Sequence, residues 1–380
     1  MTEFARTVQR LDDEFDDERF MRGAQLVAEV DGVRVLDIAR GDNGLGKAVE
    51  PEHIFRVYCT IKPFLAVLIA RLLEDGALTL DEPLATHLPD LRCVEDGVTV
   101  RHVMTHTAGV HQLMGATTEF IPPAKRRATV SRIEKPIGWR VGTSAGYSEY
   151  AGWQILGWLV EAITERPLRE FMRDELLEPL GLSNTFIGMT HDQYDRVVPR
   201  IGINCDLRHL GSFPMLFERS ARVCTETNPA HGGYSNARDL ASFYSALLAR
   251  LAGHGNDALP STDVLAQFCQ TVREPEFDVV LDRVCAYGLG FMTRLEQHAF
   301  GEGCSPASFG HSGHVGTSFA FADPERSLAV GVVFNGIIDY EMAFIRRRGL
   351  LRALFADLDD LAGTASETSA EPPRRRRLRR

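Results

Sequence analysis

Strand-like patterns occupy both ends of this chain, and helix-like patterns fill its middle. Near the start, "AQLVAEVDGVRVLDIARG" contains two β-rich runs that flank Asp31 and Gly32, a pair typical of a tight hairpin turn. Near the end, "GTSFAFADPERSLAVGVVFNG" fits a strand, an Asp-Pro turn and a second strand. This order predicts an α/β fold, in which both termini build one antiparallel sheet flanked by helices around an inserted α-helical subdomain.

Several helices are predicted within the middle of the chain. After Pro63, apolar residues recur at helical spacing until Gly76. Proline suits the first turn of a helix because its missing N–H is not needed there. The segments "GWQILGWLVEAITERP", "LREFMRDELLEPLGL" and "NARDLASFYSALLARLAG" also fit helices, and "YEMAFIRRRGLLRALFADL" fits a closing one. Residues 190–233 show little periodicity in their apolar residues, so we predict that they form a long loop with a functional role.

The 380 residues are enough for one large domain with a well-buried core. We predict a single domain over residues 1–361, with an α/β part at about residues 1–58 and 285–361 and a helical part at about residues 59–284. Residues 362–380 are small and polar and end in "RRRRLRR", so they predict a disordered basic tail. A solvated tail is favoured over one that binds a partner.

Charge and composition exclude some classes of function. The formal net charge of the chain is −10. Without the six arginines of the C-terminal run, the net charge of the remaining residues is −16, which argues against a nucleic-acid partner. No apolar run is long enough to span a membrane, and the charged N-terminus lacks the apolar core of a signal peptide. The seven cysteines form no C-x-x-C pair. We therefore expect a cytoplasmic location and no membrane partner.

One cysteine has a chemical context. Cys59 lies three residues before Lys62 at the start of an apolar helix, so both side chains share one helical face. The N-terminal end of a helix also stabilises a thiolate. On "CTIK" alone, a buried cysteine beside a surface lysine is the simpler interpretation.

Other segments favour the chemical interpretation. The "CTIK" at residues 59–62 is similar to a Ser-x-x-Lys motif, the "YSE" at 147–149 to Tyr-x-Asn, and the "HSG" at 311–313 to Lys-Thr-Gly or His-x-Gly. With flanks such as "VTVRHVMTHTAGV" and "PAHGGYSNARDLASF", these motifs stand in the order found in one superfamily. The chain resembles the serine β-lactamase and penicillin-binding-protein-like superfamily, particularly its class C and esterase branch, with Cys59 in place of the nucleophilic serine.

The resemblance implies double displacement through an acyl-enzyme, without a metal or another cofactor. Cys59 would be the nucleophile. Lys62 and Tyr147 would handle the proton: one accepts it, and both relay it to the leaving group. The backbone N–H groups of Cys59 and His314 would form the oxyanion hole. The residues implied in substrate binding are Glu149, His311, Ser312 and Gly313.

The cysteine also bears on the reaction. A thiol has an unperturbed pKa of about 8.5, so Cys59 could rest as a thiolate beside a charged Lys62. Amines attack thioesters readily, which favours an acyltransferase that passes an acyl group to an amine or another small acceptor, as in biosynthesis. The donor would be a small molecule, free or carrier-linked. A hydrolase acting on esters, amides or peptides is the alternative, because water could accept from the same site. A non-catalytic binding protein is the third hypothesis.

Glu149 stands where the family has asparagine. A carboxylate only accepts hydrogen bonds, so Glu149 could bind a substrate ammonium or pair with Lys62. His102 and His106 are spaced i, i+4, but no glutamate follows His102, so a structural role for His106 is favoured over a metal site.

A basic stretch at residues 121–136 has two interpretations. It is either a solvated loop or a place where Lys125, Arg126 or Arg127 attracts an anionic donor.

Overall fold

An eight-stranded antiparallel sheet forms the α/β part of the molecule. The structure, a computed structural model, describes residues 4–15, 21–95, 97–113, 118, 121–209, 211–298 and 303–369, with only the backbone described for 363–369. The strands of this sheet are β1 (Gly23–Val30), β2 (Val33–Gly41), β8 (Arg273–Asp278), β9 (Arg283–Tyr287), β10 (Met292–Thr293), β11 (Phe309–Ser312), β12 (Ser318–Asp323) and β13 (Leu328–Phe334). Their order is β2-β1-β13-β12-β11-β10-β9-β8.

Two three-stranded sheets lie outside the main sheet. The first, in the order β3-β7-β4, comprises β3 (Phe55–Arg56), β4 (Phe186–Ile187) and β7 (Gly233–Ser235), and the second, in the order β14-β5-β6, comprises β5 (Cys205–Asp206), β6 (Phe213–Pro214) and β14 (Gly336–Ile337). The helices are α1 (Ala5–Phe15), α2 (Lys62–Glu74), α3 (Val100–Met104), α4 (Pro123–Ser131), α5 (Ala151–Thr164), α6 (Leu168–Met172), α7 (His191–Val197), α8 (Ala221–Cys224), α9 (Ala237–Leu251), α10 (Thr262–Cys269) and α11 (Tyr340–Ser369).

The termini meet in the sheet as predicted. Asp31 and Gly32 both adopt positive φ angles, 50° and 74°, the conformation that a tight hairpin requires between β1 and β2. On its other edge β1 pairs with β13, in a register that places Ala24 opposite Phe334. The predicted antiparallel sheet built from both ends of the chain is therefore confirmed.

Helix α2 runs through the protein interior. Its residues 62–70 are all buried, and it packs against α5 and α10. A helix that is apolar around its whole circumference is stable only when it is surrounded by other elements. The N-terminal turn of α2, which carries Lys62, is therefore held rigidly inside the molecule.

The sheet extends further into the chain than predicted. Strand β8 begins at Arg273, within residues 59–284 that we assigned to the helical part. It is the last strand of the sheet, and its sequence "REPEFD" is mostly polar, as suits an exposed edge. Such a strand lacks the apolar alternation that identifies buried strands in a sequence.

Two further predictions need correction. Residues 190–233 do not form one long loop, because they contain α7, α8 and the short strands β5 and β6. Helix α11 continues to Ser369, so residues 362–369, predicted as the start of a disordered tail, are helical. Residues 370–380 lie outside the described residues. None of the described helices has the length and apolarity needed to cross a membrane.

Candidate active site

Cys59 lies on a short 3₁₀ turn, Tyr58–Ile61, that leads directly into α2. Two hydroxyl groups fasten this turn to the main sheet. Thr60 Oγ1 and Ser318 Oγ are 2.9 Å apart, and Ser318 Oγ donates to the Val57 carbonyl at 2.6 Å. The sulfur is therefore presented by a segment tied to β12.

Gly313 allows the end of β11 to approach this turn closely. A Cβ atom at position 313 would lie 2.3 Å from Ser318 Oγ and 2.6 Å from the Val57 carbonyl oxygen. Both distances are too short for any side chain, so the glycine of "HSG" is required by close packing.

Lys62 is wholly buried behind Cys59. Its Nζ donates to the carbonyl oxygens of Glu149 and Ala230, at 2.9 and 2.5 Å. Burial lowers the pKa of Lys62, and the charge of Cys59 and a hydrogen bond to it oppose this shift. A neutral amine can keep both carbonyl bonds with its two N–H groups, which leaves its lone pair available to the Cys59 thiol.

Tyr147 lies beside the same two groups. Lys62 Nζ is 5.4 Å from the centroid of its ring. Burial raises the pKa of Tyr147 well above its usual range, and the charge of Cys59 and a hydrogen bond to it add to the effect. The phenol is therefore protonated at neutral pH and acts as a hydrogen-bond donor in the resting site.

The segment around Tyr147 is held by Asp278, which the sequence did not indicate, and by His106. The Tyr147 N–H donates to Asp278 Oδ1 at 2.9 Å, and Asp278 Oδ2 lies 3.3 Å from Arg273 Nη1. His106 Nδ1 accepts the next N–H, that of Ser148, at 3.0 Å. The structural role predicted for His106 is thus to position this segment. Asp278 is 131 residues from Tyr147, so no local pattern could connect them.

A cavity of about 290 Å³ opens over Cys59. Its wall contains most of the predicted site residues: Cys59, Tyr147, Glu149, Ser312, Gly313 and His314. His311 is not on this wall, although we predicted substrate binding for it. Its side chain is wholly buried, and its Nδ1 lies 2.9 Å from the Ser312 carbonyl oxygen. Side chains alternate along a strand, so Ser312 faces the cavity and His311 lies behind it.

The two residues predicted to form the oxyanion hole, Cys59 and His314, both lie in short 3₁₀ turns. Cys59 lies in the first turn before α2, and His314 begins the 3₁₀ turn that follows β11. N–H groups in the first turn of a helix have no acceptor within that helix. Both turns border the same cavity, and the rings of Tyr58 and His314 are 5.3 Å apart.

Residues 190–233 supply a buried acid, Glu218, behind the turn that carries Cys59. The Tyr58 hydroxyl donates to Glu218 Oε1, and Asn204 Nδ2 donates to Glu218 Oε2 at 2.9 Å. Burial raises the pKa of Glu218, and the nearby Arg56 opposes this shift. This region therefore supports the turn that carries Cys59.

The basic stretch at residues 121–136 contains helix α4. Arg126 forms an ion pair with Glu226, and Arg127 binds Asp90 through two hydrogen bonds of 2.6 Å. Lys125 is exposed. Both arginines thus have structural partners, which favours the interpretation that does not involve an anionic donor.

Comparison with known proteins agrees with this geometry. Residues 6–354 match the Beta-lactamase protein family. The chain belongs to the beta-lactamase family. The esterase/beta-lactamase LipL of Mycobacterium tuberculosis is 26% identical to it over 362 residues, which cover 88% of this chain and 82% of LipL. Other proteins similar to this chain include an esterase, putative D-alanyl-D-alanine carboxypeptidases and an N-acetylmuramyl-L-alanine amidase.

Solved structures share the beta-lactamase-like fold. A penicillin-binding protein homologue from Caulobacter crescentus superimposes with a TM-score of 0.75 at 22% identity, covering 93% of this chain and 98% of that one. EstCE1, described as a hydrolase with promiscuous acyltransferase activity, also superimposes with a TM-score of 0.75, at 17% identity and the same coverage. At these identities the likeness establishes the fold.

Proposed function

We propose that this protein is a hydrolase of ester or amide substrates that works through an acyl-enzyme on Cys59. The observation that carries the proposal is the convergence of buried Lys62 and Tyr147 on the Cys59 thiol beneath an open cavity. The esterases, carboxypeptidases and amidase among its relatives support hydrolysis over the acyltransferase that the sequence put first.

Burial lowers the pKa of Lys62, which supports Lys62 as the group that accepts the first proton. As a free amine, Lys62 accepts the thiol proton while Cys59 sulfur attacks the substrate carbonyl carbon. The N–H groups of Cys59 and His314 stabilise the resulting oxyanion. Tyr147, a phenol with a raised pKa, donates its proton to the leaving group as the carbon–heteroatom bond breaks, and Lys62 returns the thiol proton to the Tyr147 oxygen. Water then attacks the thioester carbon and loses a proton to the Lys62 amine. The carbon–sulfur bond breaks, the acid is released, and Lys62 returns that proton to the sulfur of Cys59.

Acyl transfer is a second candidate, and the cysteine is the observation that favours it. Amines attack a thioester more readily than an oxygen ester. The description of EstCE1 supports the idea that this fold accommodates both outcomes. The two functions share every step up to the acyl-enzyme and differ only in the acceptor.

Turnover of activated esters tests the proposal. Wild-type protein is incubated with 4-nitrophenyl esters, and the products are separated in water alone and with added amines. We expect release of free acid by wild type and none above background by Cys59→Ala. A matched control is Cys304→Ala, because Cys304 is only partly buried and burial raises its pKa to about 12. Amide products at low amine concentration would instead favour transfer, and equal turnover by Cys59→Ala would contradict both candidates.

A further inference from the structure

A second cavity, of about 480 Å³, lies apart from the one that contains Cys59, and the described residues that line the two are all different. Strand β4, helix α6 with the turn that continues it, and helix α7 all contribute to its wall. Four arginines line this cavity: Arg169, Arg173, Arg196 and Arg200. Among the described residues that line it, only Glu178 carries a carboxylate. The wall is therefore strongly positive, in a chain whose formal net charge is −10.

The arginines form two pairs with helical spacing. Arg169 lies on α6, and Arg173 follows four residues later in the π-helical turn that continues this helix. Arg196 lies on α7, and Arg200 follows four residues later at the end of the next 3₁₀ turn. Like charges at this spacing are neighbours on a helix and destabilise it. Two such pairs around one cavity thus cost stability unless an anion lies between them.

Neither Arg196 nor Arg200 pairs with a carboxylate of the described residues. Arg196 is exposed and, within the described part of the chain, makes no ion pair and no side-chain hydrogen bond. Arg200 Nη1 donates to Asn184 Oδ1 at 2.7 Å and to the main-chain carbonyl of Glu52 at 3.0 Å. Both acceptors are neutral, so the fold leaves the charges of this pair uncompensated.

The pair on the α6 side is only partly compensated. Arg173 Nη2 lies 2.6 Å from Asp174 Oδ1, and Arg173 Nε lies 3.6 Å from Glu178 Oε1. Arg169 Nε is 4.0 Å from Glu170 Oε1, which is too far for a hydrogen bond. The cavity therefore retains an excess of positive charge and guanidinium donors that the protein does not use.

A phosphate group suits two pairs of arginines better than a carboxylate does. A guanidinium binds either anion through two parallel hydrogen bonds. A carboxylate is planar and has two oxygens, whereas a phosphate is tetrahedral and offers three acceptor oxygens. A diphosphate carries two such groups, so different arginine pairs can bind its two ends.

We propose that this cavity binds a small soluble ligand through a diphosphate group, whose oxygens are shared between the arginine pair of α6 and the arginine pair of α7. The convergence of two like-charged pairs on one cavity, with Arg196 and Arg200 lacking a carboxylate partner among the described residues, carries the proposal. The site is separate from the cavity that contains Cys59 and goes beyond the proposed hydrolysis.

Calorimetric titration with inorganic pyrophosphate and with inorganic phosphate tests the site. Both are added to wild-type protein at the same ionic strength. We expect one pyrophosphate to bind per chain, at least about tenfold more tightly than phosphate, because only pyrophosphate reaches both arginine pairs. Its affinity should decrease as salt is added. An absence of saturable binding, or equal affinities for the two anions, would overturn the proposal.

One variant from each pair tests whether the ligand contacts both. Arg169→Gln and Arg196→Gln should each weaken pyrophosphate binding by about tenfold or more, because each removes a charge-assisted pair. Arg132→Gln is the matched control, since it removes one positive charge from an exposed position outside the cavity, and it should bind as wild type does. Unchanged affinity in Arg169→Gln or Arg196→Gln, or an equal loss in Arg132→Gln, would contradict a ligand shared between the two pairs.

A second control excludes the catalytic cavity as the binding place. Arg283 and Arg347 line the cavity that contains Cys59, so this cavity also has positive charge. Arg283→Gln should bind pyrophosphate as wild type does. Loss of binding in Arg283→Gln, with Arg196→Gln unaffected, would place the anion beside Cys59 and overturn the assignment. None of these measurements requires turnover, so their outcome does not depend on the proposed function.

Discussion

Lys62 Nζ donates a hydrogen bond to the main-chain carbonyl of Glu149, with 2.9 Å between nitrogen and oxygen. The Glu149 carboxylate lines the cavity and acts on Lys62 through its charge, which raises the pKa of the amine slightly against the larger effect of burial. Backbone geometry therefore positions Lys62, and the side chain at position 149 faces the substrate space.

Replacement of Glu149 by glutamine should change acceptor use more than folding. The hydrogen bond to Lys62 comes from the main chain and persists, while the lost negative charge lowers the pKa of Lys62 further. We expect the rise of the acylation rate with pH to move to lower pH and the preference for cationic acceptors to weaken. Rates measured across pH with charged and neutral acceptors provide the check, and an unchanged profile with unchanged preference would count against a role for the carboxylate.

Lys62→Met should slow acylation of Cys59 by about 10²- to 10⁴-fold, the usual contribution of a general base. In wild type, burial lowers the pKa of Lys62 below 10.5, so the free amine and the acylation rate should increase as pH rises through that lowered value. The variant should lack this rise. Stopped-flow acylation at a series of pH values measures both effects. Lys47→Met, at an exposed position, is the control and should behave as wild type.

Asp278→Ala should destabilise the protein by about 3–5 kcal/mol, because it leaves Arg273 as an unpaired buried charge. It should also slow acylation, since the Tyr147 N–H loses its acceptor. Urea unfolding and acylation kinetics measure the two losses. The matched control is Asp81→Ala, which breaks an exposed pair with Arg101 and should cost about 0–1 kcal/mol. Similar costs for the two variants would argue that the buried pair is not needed.

Glu218→Gln should change how stability depends on pH. Burial raises the pKa of Glu218, so the folded protein binds a proton at this site more tightly than the unfolded chain does. The stability contributed by this group is therefore fully present below its unfolded pKa and is lost as pH rises through the raised value. The unfolding free energy of wild type relative to Glu218→Gln should decrease over that range. Parallel curves for the two proteins would contradict the prediction.

Short sequence patterns were sufficient to predict those elements whose conformation depends on neighbouring residues. Asp31 and Gly32 predicted the hairpin because few residue pairs adopt two successive positive φ angles, and Pro63 marked the first turn of α2. Cys59 and Lys62 could be placed on one face from their spacing alone. Their convergence with Tyr147 was expected from the family resemblance, and the geometry agrees with it.

Other features depend on contacts between distant segments. The bond from the Tyr147 N–H to Asp278 and the support of Tyr58 by Glu218 join residues more than a hundred positions apart, which no periodicity encodes. The burial of Arg347 in α11 could not be predicted either, because an arginine in an amphipathic helix is expected to face solvent. The burial of His311 was not predicted either, because the motif did not indicate which side of β11 faces the cavity.

The most direct measurement is the mass of the protein after brief incubation with an activated acyl donor, followed by peptide mapping. We predict a mass increase equal to the acyl group, located on Cys59, removed by hydroxylamine as a thioester and absent from Cys59→Ala. Cys59→Ser should acylate much more slowly, because a serine hydroxyl is far less acidic than a thiol. An acyl group mapped to another residue, or a Cys59→Ser variant with the full wild-type rate, would contradict the claim that the sulfur of Cys59 is the nucleophile.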